Sequence, residues 1–227
     1  MAAGDLAAPH VRSPADQQVT GAKRIRGFDG VLAFFVLSGY LIIGILHRSR
    51  GAVEAERVPL KTAFQDFWHR RIARICPAYY AALFLVIAVE IIVLQRTELA
   101  SAVLWYVAYL QNFYISFVQP GSGIFTQTWT LAVEQQFYLL FSPALLLIPA
   151  KYHLRAVAIA LAVSFASLAV LSRVGLSQVG LAILPMYGMV FLAAGGLLFL
   201  GGKHIPAVFS RLGAFAIAAV FILWRIG

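Results

Sequence analysis

Cysteine is almost missing from this 227-residue chain: Cys76 is the only one. An internal disulfide and a cysteine-built metal cluster are thereby excluded. The thiol sits just ahead of Pro77, at what reads as a helix entrance, and is expected to be packed and inert. Acidic residues are scarce too, with 9 Asp and Glu against 18 Lys and Arg. In a soluble protein that surplus would point to nucleic acid. Here the basic residues gather at the ends of apolar blocks, where orientation in a bilayer and anionic headgroups account for them. No nucleic-acid partner is expected. Charged residues make up only 12% of the chain against 61% hydrophobic, and mean hydropathy is +0.84, which excludes a soluble domain of this size. No period of about 20–50 residues repeats, so a solenoid is excluded. The first 22 residues hold no apolar core for a cleavable signal peptide. Histidine is sparse and stays out of the apolar blocks: His10, His47, His69, His153 and His204. No metal-ligand set is legible, and no bound metal or cofactor is expected.

What is present is a series of apolar blocks, at residues 31–46, 78–94, 102–118, 137–149, 156–171, 181–200 and 212–224. A bilayer span needs about 17–25 residues, so several blocks must borrow flanking residues or tilt. The expected fold is an all-α, polytopic membrane helix bundle of about seven transmembrane segments. Residues 1–23 read as a disordered polar tail and 24–227 as one transmembrane domain. The expected location is the cell (inner) membrane, multi-pass, with the lipid bilayer as an obligate partner. Pro185 should kink or open its segment, and Gly195-Gly196 should admit a close helix contact.

Residues 128–138 hold the densest polar-aromatic run: Thr128, Trp129, Thr130, Glu134, Gln135, Gln136, Phe137 and Tyr138. On a helix, Glu134 and Tyr138 fall four apart on one face. Such a face entering a membrane helix is costly unless it lines a cavity or binds something. The other reading is an interfacial belt, where Trp and Tyr commonly sit. In the stretch 67–77, Arg71 and Arg74 lie three apart on one helix face, with Arg70 beside them. Two guanidiniums on a face suit phosphate, which each can grip bidentately. Headgroup anchoring is the alternative. Glu90, near the end of block 78–94, reads as snorkelling and pairing with Arg96. Ser38 and Gly39 form a small pair suited to close helix packing.

Both flanks of block 31–46 are basic, Lys23, Arg24 and Arg26 on one side and Arg48, Arg50 and Arg57 on the other. The positive-inside rule asks for an even number of crossings between such flanks. Either this block is re-entrant, or a second helix that belongs between the flanks is absent from the chain.

Three stretches together resemble the membrane acyltransferase-3 family. Phe34-Phe35-Val36-Leu37-Ser38-Gly39-Tyr40-Leu41-Ile42 is similar to a signature of that family. So are Phe67 through Pro77, with Arg70, Arg71 and Arg74, and Trp129 through Leu139, with Thr130 and Gln135 at two departures. Phe28-Asp29-Gly30 resembles the family's opening. The resemblance covers about residues 24–149. It implies transfer of an acyl group, often acetyl, from acyl-CoA to a hydroxyl of a cell-surface glycan or lipid-linked sugar. By that resemblance Arg70, Arg71 and Arg74 hold donor phosphates. Glu134 is the candidate for the catalytic group. Ser38, Gly39, Trp129, Gln136 and Tyr138 belong to the cavity or to structural motifs. Family members carry an Arg or Lys followed eleven residues later by a catalytic His in the first membrane helix. Lys23, Arg24 and Arg26 are followed at that distance by Phe34, Phe35 and Leu37. The expectation is therefore a family protein without that helix and with a shortened C-terminal part, of low activity. Two other classes remain open at this point, a small transporter or flippase subunit with Glu90 and Glu134 in its membrane region, and a non-catalytic membrane scaffold.

Overall fold

The computed structural model describes the backbone of residues 14–118, 125–173, 175 and 178–202, and the side chains of those from residue 30 onward other than 98, 126, 178 and 179. Block 212–224, His10 and His204 lie outside the described residues.

Helix α1 spans Pro14–Glu54 without a break. Proline suits a first helical turn, where its missing N–H would have had no partner. Residues 14–23, assigned to the polar tail from composition, thus have helical backbone. Gly30–Glu54 is long and apolar enough to cross a bilayer, and because it is one unbroken helix the re-entrant alternative for block 31–46 fails.

Helix α2, Leu60–Ile92, joins the arginine stretch and block 78–94 into one rod, about 50 Å long at 1.5 Å per residue. Cys76 and Pro77 therefore lie inside a helix rather than at its entrance. Its far end folds back at once. The Glu90 carboxylate accepts a 2.8 Å hydrogen bond from the Leu99 backbone amide, and no ion pair joins it to Arg96 among the described residues. The expected pairing with Arg96 is replaced by a bond to backbone.

Block 102–118 is not a membrane helix. It breaks into α3 (Glu98–Ser101), α4 (Val103–Val107), α5 (Gln111–Phe113) and a π-helical turn at Tyr114–Val118. Tyr109 takes φ +55° at the α4–α5 junction. The cause is polar content that hydropathy averaging hides. Gln111, Asn112 and Ser116 are buried, and they find partners on other segments: Gln111 donates to the Thr128 carbonyl at 3.0 Å, Asn112 pairs with Gln136, and Ser116 meets the Gly180 carbonyl at 3.0 Å. A straight helix could not bring all three to those partners.

Helix α6 (Trp129–Leu147), α7 (His153–Leu171), α8 (Gln178–Ile183) and α9 (Pro185–Gly201) complete the described bundle. Leu184 is extended at ψ 149°, as a residue ahead of proline prefers, so Pro185 opens α9 and divides block 181–200. The described residues are all-α, and three helices in them, Gly30–Glu54, Leu60–Ile92 and Ala150–Leu171, are long and apolar enough to cross a bilayer; α9 is a shorter apolar one. This is a membrane helix bundle.

Helix α9 sits at its centre, packed on α1 and α7. It is apolar on every side, as a helix enclosed by others should be; Val190, Phe191, Leu192, Ala193 and Ala194 are all buried. It crosses α1 at backbone contact. A Cβ on Gly39 would overlap the Leu192 carbonyl, and one on Gly195 would overlap the Val36 carbonyl. From α1, Leu32, Phe35, Ile42 and Leu46 enter the core, and α6 adds Val133, Phe137, Phe141 and Leu145 at four-residue steps. A second cluster of Tyr79, Leu83, Leu99, Ala102, Tyr106 and Phe125 fills the space between the far half of α2 and the short helices.

Candidate functional site

Between the basic end of α1 and the first four turns of α2 lies a cavity of about 420 Å³, within the ~300–1,000 Å³ range of small-molecule sites. Ile45, Ser49 and Ala52 line it from α1, at helical spacing. Val58 closes one side, and α2 supplies Ala63, Asp66, Phe67, Arg70, Arg71 and Arg74. Arg71 and Arg74, paired by their spacing, therefore share one cavity with Arg70. The lining joins five apolar side chains, Ile45, Ala52, Val58, Ala63 and Phe67, to three guanidiniums, one carboxylate and the Ser49 hydroxyl. Such a lining suits an amphiphile with an anionic end.

The three arginines are held differently. Arg70 sits 3.6 Å from Asp66, with both side chains largely exposed, a geometry that contributes little. Arg74 is exposed and forms no ion pair with a described residue. Arg71 is half-buried, with its guanidinium 4.9 Å from the Tyr138 ring centre and 5.8 Å from that of Phe67. Those two rings meet edge to face at 6.2 Å. A cation over two ring faces is attracted by their quadrupoles and loses freedom, so Arg71 has a fixed direction that Arg70 and Arg74 lack.

Behind Tyr138, one turn back on α6, lies Glu134, 5% exposed. Its polar neighbours are the Ser38 hydroxyl of α1, the Tyr138 hydroxyl and Arg71. One carboxylate oxygen, Oε1, has no hydrogen-bond partner. The fold thus assembles Ser38, Arg71, Glu134 and Tyr138 from three helices. Gly39 lies beside them as the α1–α9 contact. Trp129 is 8% exposed, edge-on to Phe35 with ring centres 6.0 Å apart. With Trp129 and Tyr138 both buried inside the bundle, the interfacial-belt reading of residues 128–138 fails.

Gln136 stands apart from the cavity. Its side chain exchanges two hydrogen bonds with Asn112, at 3.0 and 3.1 Å, and donates to the Tyr109 carbonyl at 2.7 Å. That amide pair fastens α6 to α5, and its geometry is architectural.

Sequence reasoning missed a second polar cluster. His47 and His153, 106 residues apart, approach at Nδ1–Nδ1 3.1 Å, and His153 is fully buried. Nearby, Arg50 donates to the Leu146 carbonyl at 2.9 Å, and Glu54 accepts from the Ala150 amide at 2.8 Å. In the sequence His153 stood only as a histidine outside the apolar blocks. The only available signal was its place at the head of block 156–171, which does not name a partner. His69 is exposed on α2. No described histidine lines the cavity.

A family model described as an acyltransferase domain matches residues 10–226. Among curated proteins, the chain is 33% identical over 126 residues to YrhL of Bacillus subtilis, a match covering 51% of this chain and 19% of that protein. It is 32% identical over 130 residues to the O-acetyltransferase OatA of Staphylococcus aureus, covering 51% and 19%. It is also 32% identical over 137 residues to the peptidoglycan O-acetyltransferase OatA of Listeria monocytogenes, covering 56% and 21%. The matched stretch spans about a fifth of each relative's own length. No solved structure matches the chain.

Proposed function

This chain belongs to the acyltransferase-3 family of membrane proteins, and from that premise we propose that it serves transfer of an acyl group, acetyl in the first instance, from acyl-CoA to a hydroxyl of a cell-surface glycan such as peptidoglycan. The observation that carries the reading is the set of three arginines lining one cavity together with apolar side chains. Phosphates of CoA would lie against Arg70, Arg71 and Arg74. Ile45, Val58, Ala63 and Phe67 would exclude water from the pantetheine and the acyl group. The glycan half of the reading rests on the names of the relatives: all three are called O-acetyltransferases, and two of those names, YrhL's and that of the Listeria OatA, specify peptidoglycan.

In this chemistry the acceptor oxygen bonds to the thioester carbonyl carbon, the carbon–sulfur bond breaks, and CoA leaves as its thiol. The hydroxyl proton must pass to a base, typically worth ~10²–10⁴ in rate. No described histidine lies at the cavity to take it. We therefore propose that the 227-residue chain binds donor well and turns over slowly.

The test is acetyl-CoA binding to the full chain in lipid nanodiscs. Arg71→Ala and Arg74→Ala should each weaken binding by ~1.5–3 kcal/mol, the scale of a charge-assisted hydrogen bond. Arg71→Lys should recover only part of the loss, since an ammonium lacks the forked geometry. Wild-type affinity in both alanine variants would make these residues headgroup anchors and remove the donor site from this cavity.

A further inference from the structure

Glu134 lies outside the cavity lining, yet it is a buried carboxylate in the electrostatic reach of Arg71. A buried carboxylate without an ion pair is expensive, and an oxygen left without a hydrogen bond adds to that expense. Helices α1 and α6 could pack as well around a neutral glutamine, so packing alone gives no reason for the charge. The reason lies one turn along α6. The Tyr138 hydroxyl sits against the Glu134 carboxylate, and the face of the same ring carries the Arg71 guanidinium at 4.9 Å. Four residues apart on one face of α6, Glu134 places a negative charge beyond the Tyr138 ring, and that charge adds its own attraction for a cation held against the ring. Arg70 and Arg74 have no such backing and stay exposed on the same rim.

We propose that Glu134 is a positioning residue for donor binding, acting through Tyr138 to hold the Arg71 guanidinium in the orientation it presents to the cavity. The proposal rests on the donor-site reading above. Glu134 touches no donor atom itself. It sets the direction of one of the three cations, and with it the register in which an anionic group is received.

Two readouts on the full chain in nanodiscs test this, acetyl-CoA affinity and the rate at which phenylglyoxal modifies each arginine, followed by mass spectrometry. Glu134→Gln keeps the volume and removes the charge; Tyr138→Phe keeps the ring and removes the hydroxyl. Each should accelerate modification of Arg71 and weaken acetyl-CoA binding by about three- to tenfold, the scale of one partly desolvated cation–π contact. Arg70 and Arg74 should react at the wild-type rate. Tyr138→Leu should act more strongly than Tyr138→Phe, and in an Arg71→Lys background Glu134→Gln should add less than about twofold. An unchanged Arg71 rate in Glu134→Gln overturns the proposal. So does a rise at Arg70, Arg71, Arg74 and Arg48 together, which is general loosening. Unchanged affinity with turnover down more than about a hundredfold would put Glu134 on the reacting atoms instead. If the wild-type chain fails to bind acetyl-CoA, the donor reading falls by itself, while the Arg71 rate still decides whether Glu134 positions it.

Discussion

A methyl group on residue 39 would overlap the Leu192 carbonyl oxygen on α9, and one on residue 51 would touch nothing within 4 Å. Both glycines lie in the same helix, so intrinsic helix propensity treats them alike. Their surroundings separate them. Gly39→Ala must push α1 and α9 apart at a backbone contact and should cost about 1–3 kcal/mol or more, as overpacking does. Gly51→Ala should be neutral or gain up to about 1 kcal/mol by removing backbone freedom from the unfolded chain. Unfolding titrations in mixed micelles would check both, and equal effects from the two would mean that the α1–α9 contact is not where stability resides. The Ser38-Gly39 pair had read as a packing device, and at Gly39 the geometry is that of a helix crossing. Ser38 has a further neighbour in the Glu134 carboxylate, 96 residues on, which no local pattern could name.

Among the elements, α2 and α7 leave apolar side chains uncovered along much of their length. Phe84, Leu85, Ile91 and Ile92 are exposed on α2, as are Ile159, Val163 and Val170 on α7. A soluble protein would not leave so much contiguous apolar area open; in a bilayer these faces meet acyl chains and need no cover. A nitroxide at Val163→Cys, in a Cys76→Ala background, should therefore be relaxed strongly by dissolved oxygen and weakly by a water-soluble nickel chelate. The opposite ranking would place that face of α7 against water. Block 102–118 is the counter-case, with hydropathy close to that of a span and a broken backbone. Its buried Gln111, Asn112 and Ser116 bond to Thr128, Gln136 and Gly180. In a low-dielectric interior an unpaired amide costs more than a broken helix, so the backbone follows the side chains.

For the whole molecule, the open question set by charge is orientation. α1 carries Lys23, Arg24 and Arg26 toward one end and Arg48 and Arg50 toward the other, about 33 Å apart along a straight helix. That distance is about the thickness of a hydrocarbon core, so a crossing by α1 would place the two basic stretches on opposite faces. The denser set runs from Arg48 through Arg57 and Lys61 to Arg74 and includes the cavity rim. The positive-inside rule puts that face in the cytoplasm, where CoA thioesters are available. Gln65→Cys, again in a Cys76→Ala background, should be labelled by a membrane-impermeant maleimide only after cells are opened. Labelling in intact cells would invert the orientation and place the cavity away from the proposed donor.

Composition and periodicity alone determined the all-α membrane class, since they measure the free energy of moving segments out of water, a sum over local residues. The shared face of Arg71 and Arg74 was legible for a similar reason: helical geometry is local, and a three-residue spacing fixes it. The division of block 181–200 at Pro185 followed from the backbone preference of the residue before proline. What only the tertiary structure decided is who meets whom. Glu90 bonds to the Leu99 amide, His153 finds His47, Gln136 finds Asn112, and Arg71 of α2 lies over Tyr138 of α6. The last three join helices or segments far apart in sequence. Each buried polar group had to have a partner because the interior is apolar, and the sequence states that need plainly. It leaves the identity of the partner open, because that depends on which helices pack together, at what crossing and in what register. Those are set by summed contacts over the whole bundle, such as the α1–α9 crossing at Gly39 and Gly195, and not by any single stretch.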